Sequence, residues 1–187
     1  MNLRIYTKLK TMPMTPARPK FHKSLRLETF DYSQPGAYFV TIVTHQRKPL
    51  FGNLANGLMN LSPLGELASS VWLGLPNRFA EVETDEFIVM PDHFHGILII
   101  KEEGPRFNTS FSAPNPSRLS LSTLVGTYKS IVTRVHHFNN HTNKEPIWQR
   151  NYYEHIIRDE LEFDQIRNYI LENPARWEMD EKPSKWG

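Results

Sequence analysis

Cysteine is absent from the 187 residues of the chain. Its absence excludes disulfide bonds and thiolate metal sites, so a bound metal would have to be held by His, Asp, Glu, Asn or Gln. No apolar run approaches the roughly 18 residues that a membrane span requires. The first residues also lack the apolar core of a signal peptide. We therefore expect a cytoplasmic protein that has no membrane partner.

Acidic residues are missing from the first 26 positions, which hold seven of the 22 basic residues. The rest of the chain is left with 15 basic and 20 acidic residues, a net charge of −5. A basic segment with repeated prolines is suited to contact a phosphate backbone, although a solvated tail is the alternative. We expect a flexible arm over 1–26, one domain over 27–177 and a loose tail over 178–187. The arm's candidate DNA-backbone contacts are Arg18, Lys20, Lys23 and Arg26.

The apolar pattern predicts four strands and three helices in the order β-α-β-β-α-β-α. Ser62 and Pro63 are suited to the N-cap and first position of the first helix. A loop is predicted after Gly52, and a mobile loop over 101–118. Strands paired around two crossover helices predict an α+β, ferredoxin-like fold: one antiparallel sheet, helices on one face, and an added C-terminal helix. The predicted strands are 38–44, 82–90, 93–100 and 152–157, and the helices begin at 63, at 120 or 122, and at 159.

The predicted strand over 93–100 begins with the sequence His93-Phe94-His95. Side chains alternate along a strand, so the two imidazoles project from one face and Phe94 from the other. Neighbouring neutral imidazoles can bind a divalent metal, but two ligands leave such a site incomplete. A pair of ordinary strand histidines is the alternative.

The last predicted helix, which Pro174 is expected to stop, carries Tyr169 and Asn173 four residues apart. Residues at this spacing are neighbours on a helix surface. Asn173 could offer a carbonyl oxygen to a metal, and Tyr169 offers a phenol that can act as a nucleophile. A packing tyrosine and a C-terminal cap are the alternatives when each residue is considered alone.

Three motifs, taken together, resemble the REP-associated tyrosine transposases, which belong to the HUH single-tyrosine endonucleases. The resemblance covers about residues 30–177. The motifs are Val89-Met90-Pro91-Asp92-His93-Phe94-His95, Ile147-Trp148-Gln149-Arg150-Asn151-Tyr152-Tyr153-Glu154-His155-Ile156-Ile157-Arg158-Asp159, and Tyr169-Ile170-Leu171-Glu172-Asn173-Pro174.

The resemblance implies a metal-dependent DNA strand transferase that acts on single-stranded DNA beside a palindromic REP-type hairpin. His93, His95 and Asn173 would hold Mg²⁺ or Mn²⁺, and Tyr169 would be the nucleophile that forms a 5′-phosphotyrosine. The protein would be a monomer or a homodimer. Further candidates for backbone contacts are Arg47, Lys48 and Lys129, and the motif residues to which no role is assigned are Trp148, Gln149, Glu154, His155 and Arg158.

Two other functions remain open at this point. One is a hairpin DNA- or RNA-binding module without turnover, and the other is a metal-dependent phosphodiesterase that uses water. Tyr152 and Tyr153 compete with Tyr169 for the role of nucleophile, although adjacent strand residues face opposite ways and only one of the two could approach the metal.

Overall fold

The computed structural model describes residues 34–102, 119–140 and 145–179. The predicted arm over 1–26, most of the predicted loop over 101–118 and nearly all of the predicted tail lie outside the described residues. The described strands are β1 (Gly36–Val43), β2 (Gly52–Ala55), β3 (Leu58–Leu61), β4 (Val82–Val89), β5 (His93–Ile100) and β6 (Tyr153–Ile157). The helices are α1 (Pro63–Leu73), α2 (Leu75–Arg78), α3 (Leu121–Asn140), α4 (Glu160–Leu171) and α5 (Asn173–Met179).

Four strands form an antiparallel sheet in the order β4-β5-β1-β6. The connections from β1 to β4 and from β5 to β6 contain α1 and α3, respectively, and β4 and β5 form a hairpin. This is the predicted α+β, ferredoxin-like arrangement, and the fold prediction is confirmed.

Two helix starts follow directly from the local sequence. The Ser62 hydroxyl accepts a hydrogen bond from the Gly65 N–H at 3.1 Å, and Pro63 occupies the first position of α1. The Asp159 carboxylate likewise accepts a hydrogen bond from the Glu162 N–H at 2.8 Å at the start of α4. Each side chain satisfies one of the free N–H groups of a helix end, as an N-cap does.

The prediction of a loop after Gly52 is wrong, because β2 and β3 form a β-hairpin there. Asn56 and Gly57 make its two-residue turn with φ angles of 54° and 72°. An Asn-Gly pair favours such a turn because both of its residues adopt positive φ readily. The Asn56-Gly57 pair was therefore a local sequence signal for this hairpin.

The prediction that one helix carries both Tyr169 and Asn173 is corrected. α4 ends at Leu171, and α5 begins at Asn173 and includes Pro174 in its first turn. Proline is tolerated there because the first N–H groups of a helix have no intrahelical acceptor. Pro174 therefore lies beyond the end of α4, as predicted, and also within the start of a new helix.

A large apolar core packs α1 and α3 against one face of the sheet. Trp72 is fully buried at its centre, with its ring centroid 4.6 Å from that of Phe94 and 5.4 Å from that of Tyr128. Gly96 allows this close packing, because a Cβ at that position would lie 2.5 Å from the Trp72 ring.

The opposite face carries a smaller apolar cluster, which packs α4 against the sheet. Its buried members are Phe39, Ile97, Ile157, Ile166 and Ile170. The two histidines of β5 lie on this same face, since β5 alternates between the two cores. None of the helices in the described part of the chain has the length and apolar character needed to cross a bilayer.

Candidate active site

The strand register brings polar side chains into neighbouring positions on the α4 face. His93 pairs with Val43, and His95 pairs with Thr41, which pairs on its other side with Tyr153. Directly paired residues of antiparallel strands project to the same face. Thr41 and Tyr153 therefore share the face of the two histidines, as strand alternation predicts for His93 and His95.

The two imidazoles lie side by side, with ring centroids 4.5 Å apart. The His93 Nδ1 is 2.6 Å from Oδ1 of Asp92, and the His95 Nδ1 is 2.8 Å from the Thr41 hydroxyl oxygen. Because both contacts use Nδ1, the Nε2 atoms are the ones left to meet a ligand. Metal-binding histidines commonly have this arrangement, in which a neighbour fixes the second nitrogen.

The protonation states of His95 and Asp92 also suit the binding of a cation. Burial is the main cause that lowers the pKa of His95 well below its ordinary 6.5, and the charges of His93 and Arg47 add to the effect. His95 is therefore neutral at physiological pH, the form in which imidazole binds metals. Burial acts to raise the pKa of Asp92, but hydrogen bonding and charge from His93 and Arg47 outweigh it, so the pKa falls below 3.8. Asp92 is ionised.

Tyr169 on α4 contacts this pair from above the sheet. Its ring centroid is 5.4 Å from that of His95, and it also packs edge-on against Phe39 at 6.0 Å. The Arg176 guanidinium carbon lies 5.6 Å from the Tyr169 ring centroid, while Arg176 also pairs with Glu172 at 2.7 Å. The proposed nucleophile thus lies next to one histidine and beside a cation.

Asn173 is buried, with 7% of its surface exposed, at the first position of α5. Trp177 on the same helix contacts His93, with ring centroids 5.5 Å apart. Asn173 therefore lies along the chain between Tyr169, which contacts His95, and Trp177, which contacts His93. In the described ranges, no group of three or more His, Cys, Asp or Glu residues could hold a metal. A third protein ligand there would have to come from another residue type, such as the amide of Asn173.

Two polar contacts hold α4 across the sheet. At the β4 edge, the Arg167 guanidinium donates two hydrogen bonds to the Asp85 carboxylate, each 2.6 Å long. At the β6 edge, the His155 Nε2 lies 2.6 Å from Oε1 of Glu162, and the Arg158 N–H donates to Oε2 at 2.8 Å. His155 and Arg158, two motif residues without an assigned role, therefore help to place the helix that carries Tyr169.

Other motif residues lie at the end of β1. Trp148 packs against Phe51 and Tyr128, and its indole N–H donates to the Lys129 carbonyl at 3.2 Å. The Lys129 ammonium donates to the carbonyls of Gln149 and Arg150, and burial lowers the pKa of Lys129. This group joins α3 to the segment before β6 and lies apart from the ring contacts of the histidine pair.

The remaining predicted residues are the candidate backbone contacts and Glu154, a motif residue without an assigned role. Arg47 donates to Asp92 at 3.3 Å, next to His93, whereas Lys48 pairs with Glu145 at 3.5 Å. Glu154 pairs with Val40 and so faces the α1 and α3 core. Arg18, Lys20, Lys23 and Arg26 lie outside the described residues.

The two competing tyrosines project to opposite faces, as predicted for adjacent strand residues. Tyr153 shares the face of His95, whereas Tyr152 packs against the core formed with α1 and α3. Tyr169 has a direct ring contact with His95. This contact favours Tyr169 over Tyr152 by position and leaves Tyr153 as the tyrosine to compare in an experiment.

Sequence reasoning did not identify Thr41, Asp92, Arg176 and Trp177 as neighbours of the site. The position of Asp92 directly before His93 was a usable signal, because carboxylates often fix the second nitrogen of a ligand histidine. Thr41 reaches His95 only through the pairing of β1 with β5, and no local pattern shows that pairing.

Comparisons with known proteins give relatives in sequence and in structure. No protein-family model matches the chain. The chain is 38% identical over 167 residues to an uncharacterized protein of Haemophilus influenzae, a match that covers 85% of this chain and 91% of that protein. The solved structure of a REP-associated tyrosine transposase bound to a REP hairpin superposes with a TM-score of 0.55 at 18% identity, covering 79% of this chain and 72% of that one.

The two relatives support conclusions of different kinds. Identity and coverage at the level of the Haemophilus influenzae protein establish common membership of one family. The structural match, at much lower identity, establishes a shared fold. The chain therefore belongs to the same family as the Haemophilus influenzae protein and has the fold of the REP-associated tyrosine transposases.

Proposed function

We propose that this protein is a metal-dependent single-strand DNA endonuclease and strand transferase that uses Tyr169 as its nucleophile. The observation that carries the proposal is the meeting of three side chains on one face of the sheet. His93 lies 4.5 Å from His95, and His95 lies 5.4 Å from Tyr169, between ring centroids. Two strand imidazoles beside a tyrosine from a separate helix supply a cation site and a nucleophile in one place.

The reaction proposed for Tyr169 is a transesterification. Its phenol oxygen attacks the phosphorus of a phosphodiester and loses its proton to solvent or a base. The bond between phosphorus and the 3′ oxygen breaks as the new bond forms, and the departing oxygen takes up a proton to become a 3′-OH. The product is a 5′-phosphotyrosine link. No water is consumed, so the link keeps the bond available for transfer to another DNA end.

His93, His95 and Asn173 would hold the divalent ion, Mg²⁺ or Mn²⁺. When bound, such an ion supplies Lewis-acid polarisation of the phosphate and neutralises developing charge. The donor set fits a metal in one respect, since both Nδ1 atoms are engaged and both Nε2 atoms are left for a ligand. Two imidazoles suit Mn²⁺ better than Mg²⁺, which prefers oxygen ligands.

The substrate proposed for this site is single-stranded DNA next to a REP-type hairpin. The support is the shared fold with a transposase whose solved structure holds a REP hairpin. Unpaired bases can stack on aromatic side chains, and Trp177 lies beside His93 at the site. Arg18, Lys20, Lys23, Arg26, Arg47, Lys48 and Lys129 remain the proposed backbone contacts, and the active form is a monomer or a homodimer.

The test uses a labelled hairpin oligonucleotide with a single-stranded flank, Mn²⁺ and denaturing gels that resolve covalent protein–DNA adducts. We expect the wild-type protein to form an adduct and cleave the flank. Tyr169→Phe should abolish both while hairpin binding is retained, because the substitution removes only the hydroxyl. Chelation of the metal should have the same effect as Tyr169→Phe.

Two matched controls use the competing tyrosines. Tyr153→Phe removes a hydroxyl from the site face, and Tyr152→Phe removes one from the side chain packed against the opposite core. Both variants should still form the adduct. An adduct with Tyr169→Phe would overturn the assignment of the nucleophile, and loss of the adduct in Tyr153→Phe alone would transfer the role to that residue. Hydrolysis that persists in Tyr169→Phe would indicate a phosphodiesterase that uses water.

A second candidate is a hairpin DNA- or RNA-binding module without turnover. The observation that favours it is the small set of charged or imidazole ligands, since the described part of the chain offers no cluster of three such residues. Two imidazoles and an amide hold a metal more weakly than a full set of charged ligands. Tight hairpin binding with no adduct and no cleavage in Mg²⁺ or Mn²⁺ would support this candidate.

A further inference from the structure

The carboxylate of Asp92 has both of its oxygens engaged beside the histidine pair. Oδ1 lies 2.6 Å from the His93 Nδ1, and Oδ2 accepts a hydrogen bond from the Arg47 Nη1 at 3.3 Å. Asp92 is buried, with 4% of its surface exposed. A buried carboxylate is stabilised only when it is paired and hydrogen-bonded, as this one is on both sides.

The backbone around Asp92 holds the carboxylate in place. The Asp92 carbonyl accepts hydrogen bonds from both the N–H and the hydroxyl of Thr44, each 2.9 Å long. Thr44 follows the last residue of β1, so the turn that contains Asp92 is tied to the neighbouring strand. The position of this carboxylate is therefore determined by the sheet rather than by a flexible loop.

Arg47 reaches Asp92 from an unusual backbone conformation. Gln46 and Arg47 have φ angles of 55° and 53°, in the left-handed region that residues other than glycine rarely adopt. Such conformations persist where surrounding contacts enforce them, and they concentrate at functional sites. Here the Arg47 N–H donates to the Thr44 carbonyl at 3.1 Å, and its guanidinium donates to Asp92.

We propose that Asp92 is a positioning residue for His93, held in turn by Arg47. An ionised carboxylate can only accept, so the proton of the neutral His93 ring lies on Nδ1, and Nε2 presents a lone pair. Asp92 thereby selects the tautomer and ring orientation that a ligand histidine needs. The inference rests on the proposed function, because it assigns Asp92 and Arg47 to the same metal site.

The first test measures the tautomer and does not depend on metal or DNA. In the wild-type protein, ¹⁵N NMR at alkaline pH should show the neutral His93 ring protonated on Nδ1. Asp92→Ala should shift the proton to Nε2, while methyl signals of Leu124 in the opposite core report that the fold is intact. A wild-type ring protonated on Nε2 would overturn the proposal.

The second test measures binding of Mn²⁺ by calorimetry in the absence of DNA. Asp92→Asn keeps the shape of the side chain but removes its charge, and loss of such a partner typically weakens metal affinity about 10- to 100-fold. Arg47→Gln should weaken it less, since Asp92 keeps its bond to His93. Glu83→Gln is the control, because Glu83 is an exposed carboxylate that pairs with Lys101 on the edge strand. Its affinity should equal that of the wild type.

Failure of this inference and failure of the proposed function give different results. If Asp92→Asn binds Mn²⁺ as tightly as the wild type, the positioning role is overturned, whereas the adduct assay of Tyr169 is unaffected. If the wild type binds Mn²⁺ and Asp92→Asn binds it weakly, the positioning role is supported even when no DNA is cleaved. If the wild type binds no Mn²⁺, the metal site of the proposed function fails and the His93 tautomer still decides the role of Asp92.

Discussion

The two faces of the four-stranded sheet are built in different ways. The face that packs on α1 and α3 has a large, continuous apolar core with fully buried aromatic rings such as Trp72. Among the described residues, the cluster that packs on α4 has five buried apolar members, and the polar contacts of α4 lie at both edges of the sheet. One face therefore supplies most of the apolar burial, while the other holds the histidines and the tyrosine.

This difference suits the chemistry proposed for the α4 face. A site that receives a nucleic acid strand needs polar groups near the surface, which an apolar core excludes. Polar contacts fix the position of α4 but depend on the charge states of Asp85 and Glu162, whereas apolar packing does not. We therefore expect changes on the two faces to differ in kind, as the following substitutions test from the largest effect to the smallest.

Trp72→Ala should lower the free energy of unfolding by about 3–5 kcal/mol, the range for a large aromatic residue deleted from a core. Trp72 is fully buried against Phe94 and Tyr128, so its replacement by alanine leaves a cavity inside the core. Urea denaturation followed by circular dichroism measures the change. A decrease in the free energy of unfolding no larger than that of a typical surface substitution would mean that the α1 and α3 face is not the main source of stability.

Gly96→Ala should lower the free energy of unfolding by about 1–3 kcal/mol, since overpacking a dense core forces neighbours to shift. The added Cβ would lie 2.5 Å from the Trp72 ring and 2.9 Å from the Phe94 ring. Because Gly96 follows His95 on β5, we also expect a change in the His95 ring signals in NMR spectra. An unchanged unfolding transition would contradict the close contact between α1 and β5.

Acid should release α4 from the sheet before the opposite core unfolds. Hydrogen bonds from Arg167 are the main cause that lowers the pKa of Asp85 below 3.8. Burial acts to raise the pKa of Glu162, but hydrogen bonds from the Arg158 backbone and His155 outweigh it, so the pKa falls below 4.5. Depressed carboxylate pKa values stabilise the fold above the unfolded-state pKa, and that stabilisation is lost as the pH falls through the folded-state values.

Methyl NMR during an acid titration measures this difference between the faces. Signals of Ile166 and Ile170 should change below about pH 4, while those of Leu124 on the other face persist to lower pH. Asp85→Asn should move the change of the α4 signals to higher pH, because one of the two polar contacts is already weakened. Simultaneous loss of all the signals would show that the two faces unfold as one unit.

Gly126→Ala should raise the free energy of unfolding by about 0.5–1 kcal/mol, the smallest effect in this series. Gly126 lies within α3, and a Cβ added there would meet no heavy atom within 4 Å. Alanine favours the helix without any steric cost. Thermal denaturation measures the change, and this variant is the matched control for Gly96→Ala, because the same atom is added in open space.

The sequence was most informative where local chemistry fixes local structure. Ser62-Pro63 and Asp159 mark helix starts through their own side chains, and the alternation of His93, Phe94 and His95 places the two imidazoles on one face. The Asn56-Gly57 turn belongs to the same class of signal, although the hairpin was predicted as a loop. The end of α4 before Pro174 was predicted, whereas α5 was not, because Pro174 can begin a helix as readily as it follows one.

Contacts between distant parts of the chain could be decided only by the tertiary structure. Residues 41 and 95 meet because β1 pairs with β5, and Asp85 meets Arg167 because α4 crosses the whole sheet. The sequence by itself determined the ferredoxin-like order of elements and the placement of His93 and His95 on one face of their strand, since these follow from periodicity and spacing. The tertiary structure decided that Tyr169 contacts His95 and that Asp92 lies between His93 and Arg47, because packing and register, rather than local pattern, bring those side chains together.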